Sequence, residues 1–424
     1  MLRYLSDYKR ESVLAPLFKM LEATFDLFVP LVMADIVNVG IAAHDFHYIL
    51  VRCGILLLLA IVGLTCSLTA QYFSAKAAVG YSTGLRHALF EHIQTLSFSE
   101  MDTMGTSTLI TRMTSDVNQV QSGLNLFLRL FLRSPFVVIG AMIMAFTVNF
   151  RAALIFVVAI PLLSVVVFGV MVIPRPLYKS VQTRLDRVLG LTRENLTGVR
   201  VVRAFGRERF EKDKFNKQND LFSDLWVRLG HVMGVNWGIG DLLSGIQVLT
   251  IIAAGIVFVV DGAITEGEYL AFVAYNSMLV WPTRSLGRLL SELSKTGISS
   301  KRIFEILDAE PEKDAEIPVT PPMDRDIVFK HVNFSYGTSG EVLHDIDLKI
   351  PAGTTLGILG STGSGKSTLT YLLDRLYELP EGSGEITIGG VDIRNIALSH
   401  LRGNIGIVLQ EPLLFSKSFQ DTLS

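Results

Sequence analysis

The sequence predicts a multi-domain chain: an all-α membrane domain of six spanning helices with long cytoplasmic extensions, followed by an incomplete α/β domain. Three observations support this fold class. Half of the 424 residues are hydrophobic and only 18% are charged, with a mean hydropathy of +0.43, which is typical of a partly membrane-embedded protein. Six apolar stretches of helical length come first. Short strand patterns and a glycine-rich loop follow them.

The N-terminal segment, residues 1–12, is short, basic and amphipathic. No small-residue cleavage site closes an apolar core there, so we expect an interfacial helix and not a signal peptide. Cys53 and Cys66 both lie in one apolar stretch, where we expect packing residues and neither a disulfide nor a metal pair. The net charge of −2 gives no basic field that would favour a nucleic-acid partner.

The membrane domain is predicted over residues 13–307. A helix needs about 20 residues to cross a bilayer core of roughly 30 Å. The predicted spans lie near residues 13–39, 48–74, 126–148, 152–173, 236–260 and 268–290. The three loops expected outside are tight and hold one arginine, whereas segments 75–125 and 174–235 are long and rich in Arg and Lys. Because positive charge favours the cytoplasmic side, we expect a multi-pass protein of the cytoplasmic (inner) membrane with both termini inside.

The long cytoplasmic segments keep a helical periodicity that extends the spans, and each is interrupted once, at Ser97–Thr106 and at Gly198–Arg207. A proline-containing linker follows at residues 308–325. The last predicted domain covers residues 326–424. Its predicted strands are Ile327–Tyr336, Val342–Ile350, Thr355–Leu359, Ile386–Ile388 and Ile405–Leu409, with a helix over Ser367–Tyr377.

A complete phosphate-binding loop, Gly360-Ser-Thr-Gly-Ser-Gly-Lys366-Ser367, joins the third of these strands to the helix. Its glycines allow backbone N–H groups to curl around phosphates at a helix N-terminus. Lys366 supplies a point charge, and the Ser367 hydroxyl is a candidate magnesium ligand. Tyr336, at a strand end, could stack on adenine, and Gln410 could reach the metal or an attacking water. A nucleotide site attached to a membrane domain indicates ATP-driven transport.

Together these residues resemble the ATP-binding cassette (ABC) family, and the likeness covers essentially the whole chain. Gly389–Ile393 matches the family's intermediate hairpin, residues 194–208 resemble its second coupling segment, and residues 98–106 lie where the first would be. The resemblance implies a half-transporter of the bacterial multidrug-exporter type whose last domain is an α/β P-loop NTPase domain. It implies ATP and Mg²⁺ as cofactors, with Ser367 and Gln410 on magnesium. The implied nucleotide-binding residues are Tyr336, Gly360, Ser361, Thr362, Gly363, Ser364, Gly365, Lys366, Ser367, Thr368 and Gln410.

The implied partners are a second half-transporter, as a homodimer or a heterodimer, and membrane lipids. The implied function is export of a small molecule, a lipid or a peptide. No nucleic-acid partner is expected.

The chain departs from the family pattern downstream of Gln410, where the Walker B strand with its catalytic Glu, the signature motif and the switch His are absent. Leu243–Gln247 resembles the signature motif but lies inside the fifth predicted span, before the phosphate loop. Val257–Asp261 resembles Walker B but is the extracellular end of the same span. We therefore expect a chain truncated within its nucleotide-binding domain, through the gene model or as a natural short form, that does not hydrolyse ATP alone. The alternative is a non-hydrolysing nucleotide-binding membrane protein or regulatory short form. A P-loop GTPase is excluded by the lack of an Asn-Lys-x-Asp motif.

Ionisable and aromatic residues inside or beside the spans form a candidate substrate cavity near the cytoplasmic side. Such residues are costly in a membrane and usually face a cavity or one another. The candidates are Glu22, Asp26, Arg129, Arg133, Trp237, Asp241, Trp281 and Arg284. Two interpretations remain open: a polar vestibule that holds substrate, or ion pairing between helices with snorkelling at the interface.

Overall fold

The computed structural model describes residues 2–172, 174–337 and 340–409. The side chains of residues 2–3, 159, 163–164, 166–168, 170–172, 175 and 280–288 lie outside this description. The described residues form two compact units. The first unit comprises the chain up to Leu85 together with Asp116–Lys301, and the second comprises Arg86–Ser115 together with the chain from Arg302 onward.

Helices account for most of the described chain up to Leu307. In chain order they are α1 (Leu2–Leu5), α2 (Lys9–Asp35), α3 (Phe46–Ile93), α4 (Phe98–Met104), α5 (Thr106–Thr111), α6 (Val117–Leu126), α7 (Arg133–Val148), α8 (Phe150–Val172), α9 (Arg175–Thr197), α10 (Val199–Ala204), α11 (Glu208–Val260) and α12 (Glu266–Leu307). Turns of π-helix extend α2 over Ile36–Ile41, join α5 to α6 over Arg112–Asp116, and follow α6 over Phe127–Phe131.

Four stretches among the described residues are long and apolar enough to cross a membrane: Ser6–Ile41, Phe46–Ile93, Thr106–Val148 and Glu208–Val260. They contain the first, second, third and fifth predicted spans. The fourth predicted span lies in α8, where a shorter apolar stretch covers Phe150–Leu162, and the sixth lies in α12. The count of six spans therefore stays a prediction.

The main core of the first unit combines alanines with large apolar side chains. Leu27 and Tyr275 are buried there, and the Tyr275 hydroxyl donates a hydrogen bond to the Leu27 carbonyl oxygen (2.9 Å). Alanines allow the helices to approach closely, as is usual where helices pack inside a bilayer. The core residues are Leu27, Ala34, Ala141, Ala145, Ala152, Ala153, Phe156, Ile251, Ala271, Phe272, Tyr275 and Leu279.

The rejection of the signature look-alike at Leu243–Gln247 is consistent with the structure. The segment lies within α11, and the buried Gln247 side chain donates to Asn276 Oδ1 of α12 at 2.6 Å. This hydrogen bond satisfies the buried Nε2 donor of Gln247 between two helices. Gln247 therefore contributes to helix packing.

The first predicted interruption is a seven-residue helix, α4, in the second unit. The Ser97 side chain accepts a hydrogen bond from the Glu100 backbone N–H (3.2 Å), which caps the N-terminus. Gly105, at φ +77°, ends the helix in a conformation that glycine adopts without strain. The second interruption is α10, which lies between Gly198 and Gly206.

The second unit contains a four-stranded antiparallel sheet in the order β2-β1-β3-β4. Its strands are β1 (Ile327–Phe334), β2 (Leu343–Ile350), β3 (Glu385–Ile388) and β4 (Val391–Asp392), and its helices are α13 (Lys366–Leu373) and α14 (Leu398–Asn404). Ile327 pairs with both Ile350 and Ile388, which fixes the register on each side of β1. Buried residues of the sheet pack against Leu372 of α13 and Leu401 of α14.

Two predicted strands are wrong. Neither Thr355–Leu359 nor Ile405–Leu409 is a strand in the structure. Their apolar residues other than the half-buried Ile405 are exposed, and Leu359 and Val408 are 98% and 95% exposed. A strand forms only when a neighbouring strand accepts and donates its backbone hydrogen bonds, and the described residues give these two segments no such neighbour. The sequence pattern indicated the propensity but not the pairing.

Candidate nucleotide-binding site

The phosphate loop ends in two glycines with left-handed backbones. Gly363 and Gly365 have φ of +84° and +85°, and Gly365 caps the N-terminus of the eight-residue helix α13. A Cβ at Gly365 would approach Leu343 Cδ2 to 2.6 Å and the Val342 carbonyl oxygen to 3.3 Å. Glycine is therefore required at this position by both the backbone conformation and the available space.

The Lys366 side chain folds back on the phosphate loop. Its Nζ donates to the carbonyl oxygens of Gly360 (3.0 Å) and Ser361 (2.7 Å) and to Ser364 Oγ (3.3 Å). The ammonium group is thus held at the positive end of α13, where an anion is stabilised by both the charge and the free N–H groups. Thr362 is exposed in the same loop.

A magnesium-bound nucleoside triphosphate fits the described part of this site. The glycine turn, the helix N-terminus and the Lys366 charge match a polyphosphate, and Ser367, the exposed second residue of α13, offers a hydroxyl for the metal. When bound, the nucleotide would supply the phosphoryl group whose transfer drives conformational work. The other predicted metal ligand, Gln410, lies outside the described residues.

Tyr336 lies next to the loop through a direct contact with α13. Its hydroxyl donates to Thr368 Oγ1 at 3.0 Å, and Thr368 is 5% exposed. β1 ends at Phe334, two residues earlier than predicted, and Tyr336 is half-buried beyond it. Tyr336 thus contacts the helix that follows the phosphate loop, and its contact with an adenine base stays a prediction.

Two aromatic rings, those of Phe334 and Tyr377, contact the ring of Tyr336. Its ring makes edge-to-face contacts with Phe334 and Tyr377, with centroids 4.9 Å apart in each case and interplanar angles of 87° and 86°. The Tyr377 hydroxyl donates to an Asp102 carboxylate oxygen of α4. An open cavity of about 650 Å³ is lined by Tyr336, Tyr377, Asp102 and residues of the 310–313 segment. Burial first, and then the Asp102 hydrogen bond, raise the pKa of Tyr377, so its hydroxyl stays protonated at neutral pH.

A bidentate ion pair between Glu312 and Arg402 attaches the predicted linker, residues 308–325, to α14. Both terminal nitrogens of Arg402 bond Glu312 carboxylate oxygens at 2.7 Å. Arg402 also donates to the backbone carbonyls of Asp374 (3.2 Å) and Arg375 (2.8 Å). The Glu312 backbone N–H donates to the Thr95 carbonyl (2.7 Å), just ahead of α4. The sequence analysis missed Asp102, Tyr377, Glu312 and Arg402, because no local pattern indicates pairs so far apart in the chain.

In the first unit the structure brings three predicted cavity residues together. Arg133 Nη2 lies 3.1 Å from an Asp26 oxygen and 3.6 Å from a Glu22 oxygen. Lys19, which the sequence analysis missed, bonds Glu22 (2.6 Å) and Ser67 Oγ (3.1 Å). The spacing of Lys19 and Glu22, three apart on α2, was the available signal. We call these residues the α2 charge cluster.

The described contacts of the other predicted cavity residues differ from one residue to the next. Arg129 donates instead to Gln71 Oε1 at 2.6 Å. Trp237 and Asp241 are exposed on α11. The side chains of Trp281 and Arg284 lie outside the described residues. A cavity of about 430 Å³ between α2 and α3 is lined by Glu22 and Asp26 at one side and by leucines such as Leu56 at the other.

Comparison with known sequences gives one family for both units. Residues 12–283 match the ABC transporter transmembrane region, and residues 343–422 match the ABC transporter domain. An uncharacterized ABC transporter ATP-binding protein of Bacillus subtilis, YfiB, is 29% identical over the whole chain and 74% of its own length. An uncharacterized one of Mycobacterium tuberculosis is 31% identical over 99% of the chain and 73% of its own length. An ATP-dependent lipid A-core flippase of Desulfotalea psychrophila is 33% identical over 80% of the chain and 59% of its own length. The chain therefore belongs to the ABC transporter family.

Proposed function

We propose that this protein is one half of a dimeric ABC exporter that uses ATP and Mg²⁺ to move a small molecule, a lipid or a peptide across the cytoplasmic membrane. The observation that carries the proposal is the phosphate loop, with Lys366 held at the N-terminus of α13. The membrane region matched over residues 12–283 supplies the transport part. The likeness to a lipid A-core flippase supports an amphiphilic cargo, and the apolar wall beside Glu22 and Asp26 supports it as well.

Several features of the proposal come from the sequence and the family. These are the partner half-transporter, as a homodimer or heterodimer, the six spans with both termini in the cytoplasm, and the contribution of Gln410 to metal or water positioning. Tyr336 would contact the adenine base, and residues Gly360–Thr368 would hold the phosphates with Ser367 on magnesium. The second coupling segment would be α10 with its flanks.

Nucleotide binding by the protein in nanodiscs tests the proposal. We expect a fluorescent ATP analogue to bind the wild-type chain, and Lys366→Ala to weaken binding by about tenfold or more, since one charge-assisted contact to phosphate is lost. Lys349→Ala is the matched control. Its ammonium pairs with Asp326 at 2.9 Å on the exposed sheet, so its affinity should equal that of the wild type. Absence of binding to the wild-type chain, or equal losses in both variants, would reject the site.

Hydrolysis and transport separate the exporter from the non-hydrolysing alternative. In proteoliposomes that contain the protein with the Walker B, signature and switch motifs supplied in the same chain, together with its partner half, we expect Mg²⁺-dependent ATP hydrolysis that Lys366→Ala abolishes. ATP-dependent uptake should accompany it. Binding without any hydrolysis in that assembly would favour a regulatory nucleotide-binding protein.

A further inference from the structure

The contacts around Tyr336 form a continuous path within the second unit, from the phosphate-loop helix to α4. At one end, the Tyr336 hydroxyl bonds Thr368 of α13 at 3.0 Å. In the middle, the rings of Tyr336 and Tyr377 pack edge to face with centroids 4.9 Å apart. At the other end, the Tyr377 hydroxyl bonds Asp102 of α4. Two hydroxyl hydrogen bonds thus join two helices through one ring contact.

The attachment of α4 to the rest of the unit does not depend on this path. The backbone pair Glu312 N–H to Thr95 carbonyl (2.7 Å) and the contact of His92 Nε2 with the Ala309 carbonyl (2.9 Å) hold the chain just before α4. Glu312 is itself fixed by Arg402. Because these contacts anchor the segment, the Asp102–Tyr377 hydrogen bond can change without releasing α4.

We propose that Tyr377 is a positioning residue, which orients the Tyr336 ring against a nucleotide base and transmits the presence of that base to Asp102 on α4. The proposal rests on the proposed nucleotide site. An edge-to-face contact constrains both rings, since the edge of one ring is attracted to the face of the other. A base that packs on Tyr336 therefore shifts the preferred orientation of Tyr377. The hydrogen bond to the charged Asp102 is directional, so the shift changes the restraint on α4.

The test uses the full chain in nanodiscs and two ligands with Mg²⁺: ATP, which carries a base, and inorganic tripolyphosphate, which does not. Tyr377→Phe keeps the ring and removes only the hydroxyl. We expect its ATP affinity to fall about fivefold, the scale of one lost hydrogen bond, with tripolyphosphate affinity unchanged. Tyr371→Phe is the matched control, because its ring lies 6.2 Å from Tyr377 but outside the path; both affinities should be unchanged.

Hydrogen exchange of the α4 amides, residues 98–104, is the second readout. In the wild type, ATP but not tripolyphosphate should change their exchange rate. The response should disappear in Tyr377→Phe and in Asp102→Ala, and it should return in Asp102→Asn, whose amide oxygen still accepts a hydrogen bond.

The proposal stands only if both readouts change as described. An equal fall in ATP and tripolyphosphate affinity in Tyr377→Phe would overturn it, because the hydroxyl would then support the loop as a whole. An α4 response that persists without the hydroxyl, or an unchanged ATP affinity, would overturn it as well. A wild-type chain that binds neither ligand would instead reject the nucleotide site on which the proposal rests.

Discussion

Two arginines, one in each compact unit, contact carboxylates in opposite ways. Arg402 of the second unit makes two hydrogen bonds to Glu312, both of 2.7 Å, and its other donors reach backbone carbonyls. Arg133 of the first unit reaches Asp26 and Glu22 at 3.1 and 3.6 Å through a single nitrogen. Its Nε is buried without a hydrogen-bond acceptor among the described residues.

The difference indicates which arginine stabilises the fold and which can rearrange. A bidentate guanidinium–carboxylate pair fixes geometry, and each of the three guanidinium nitrogens of Arg402 donates a hydrogen bond. A guanidinium with one unsatisfied buried donor gains free energy whenever a new acceptor reaches it. Arg402 therefore resembles a structural clamp, whereas Arg133 is able to exchange partners, and its two carboxylate partners line the cavity between α2 and α3.

We expect the largest effect on stability from loss of the Arg402–Glu312 ion pair. Arg402→Ala removes the forked pair and two bonds to backbone carbonyls, and both partners are less than one-third exposed. We expect the second unit to lose about 2 kcal/mol in free energy of unfolding, measured by hydrogen exchange in α13 and α14.

Arg394→Ala is the matched control for this prediction. Its guanidinium pairs with Asp392 only two residues away, so its loss should cost less than about 0.5 kcal/mol. Equal losses in the two variants would contradict the distinction between a clamp and a local pair.

The clamp also shows what the sequence could and could not predict. The phosphate loop was readable because its residues are contiguous and their spacing defines the geometry. Glu312 and Arg402 lie 90 positions apart, and Asp102 and Tyr377 lie 275 apart, so only the folded chain brings them together. Local patterns also did not indicate whether residues 355–359 have a partner strand. The strand was therefore predicted from its composition and did not form. In the α2 charge cluster, the pairing of Asp26 with Arg133 needed the packing of α2 against α7.

The next effect concerns Arg133 and separates substrate contact from ion pairing. Arg133→Ala leaves Glu22 paired with Lys19, so we expect a stability loss of about 1 kcal/mol or less. Transport should change more than stability. With the reconstituted exporter, Arg133→Ala and Glu22→Ala should each lower uptake of amphiphilic substrates, measured against a panel of charged and neutral lipids and dyes.

Arg151→Ala is the control for the cavity prediction, because Arg151 is exposed in the first turn of α8 and is not a member of the α2 charge cluster. It should leave uptake unchanged. If both cavity variants transport every tested compound at the wild-type rate, the cluster serves only to pair helices, and Arg133 does not differ in function from Arg402.

The smallest effect belongs to a third, fully exposed set of charges on the sheet. His331 Nδ1 lies 2.8 Å from Asp345 and 3.4 Å from Asp347. The Asp345 hydrogen bond, followed by the charges of both carboxylates, raises the pKa of His331 above its usual value. The folded state thus binds the proton more tightly than the unfolded chain. The stabilisation by protonated His331 is therefore complete below about pH 6.5 and is lost as pH rises through the folded pKa.

Hydrogen exchange of β1 and β2 should therefore quicken slightly between pH 6 and pH 8, beyond the intrinsic rate change. His331→Gln should remove that pH dependence while the exchange of α13 and α14 stays the same. A pH dependence that survives in His331→Gln would show that the contacts of His331 with Asp345 and Asp347 are not its source.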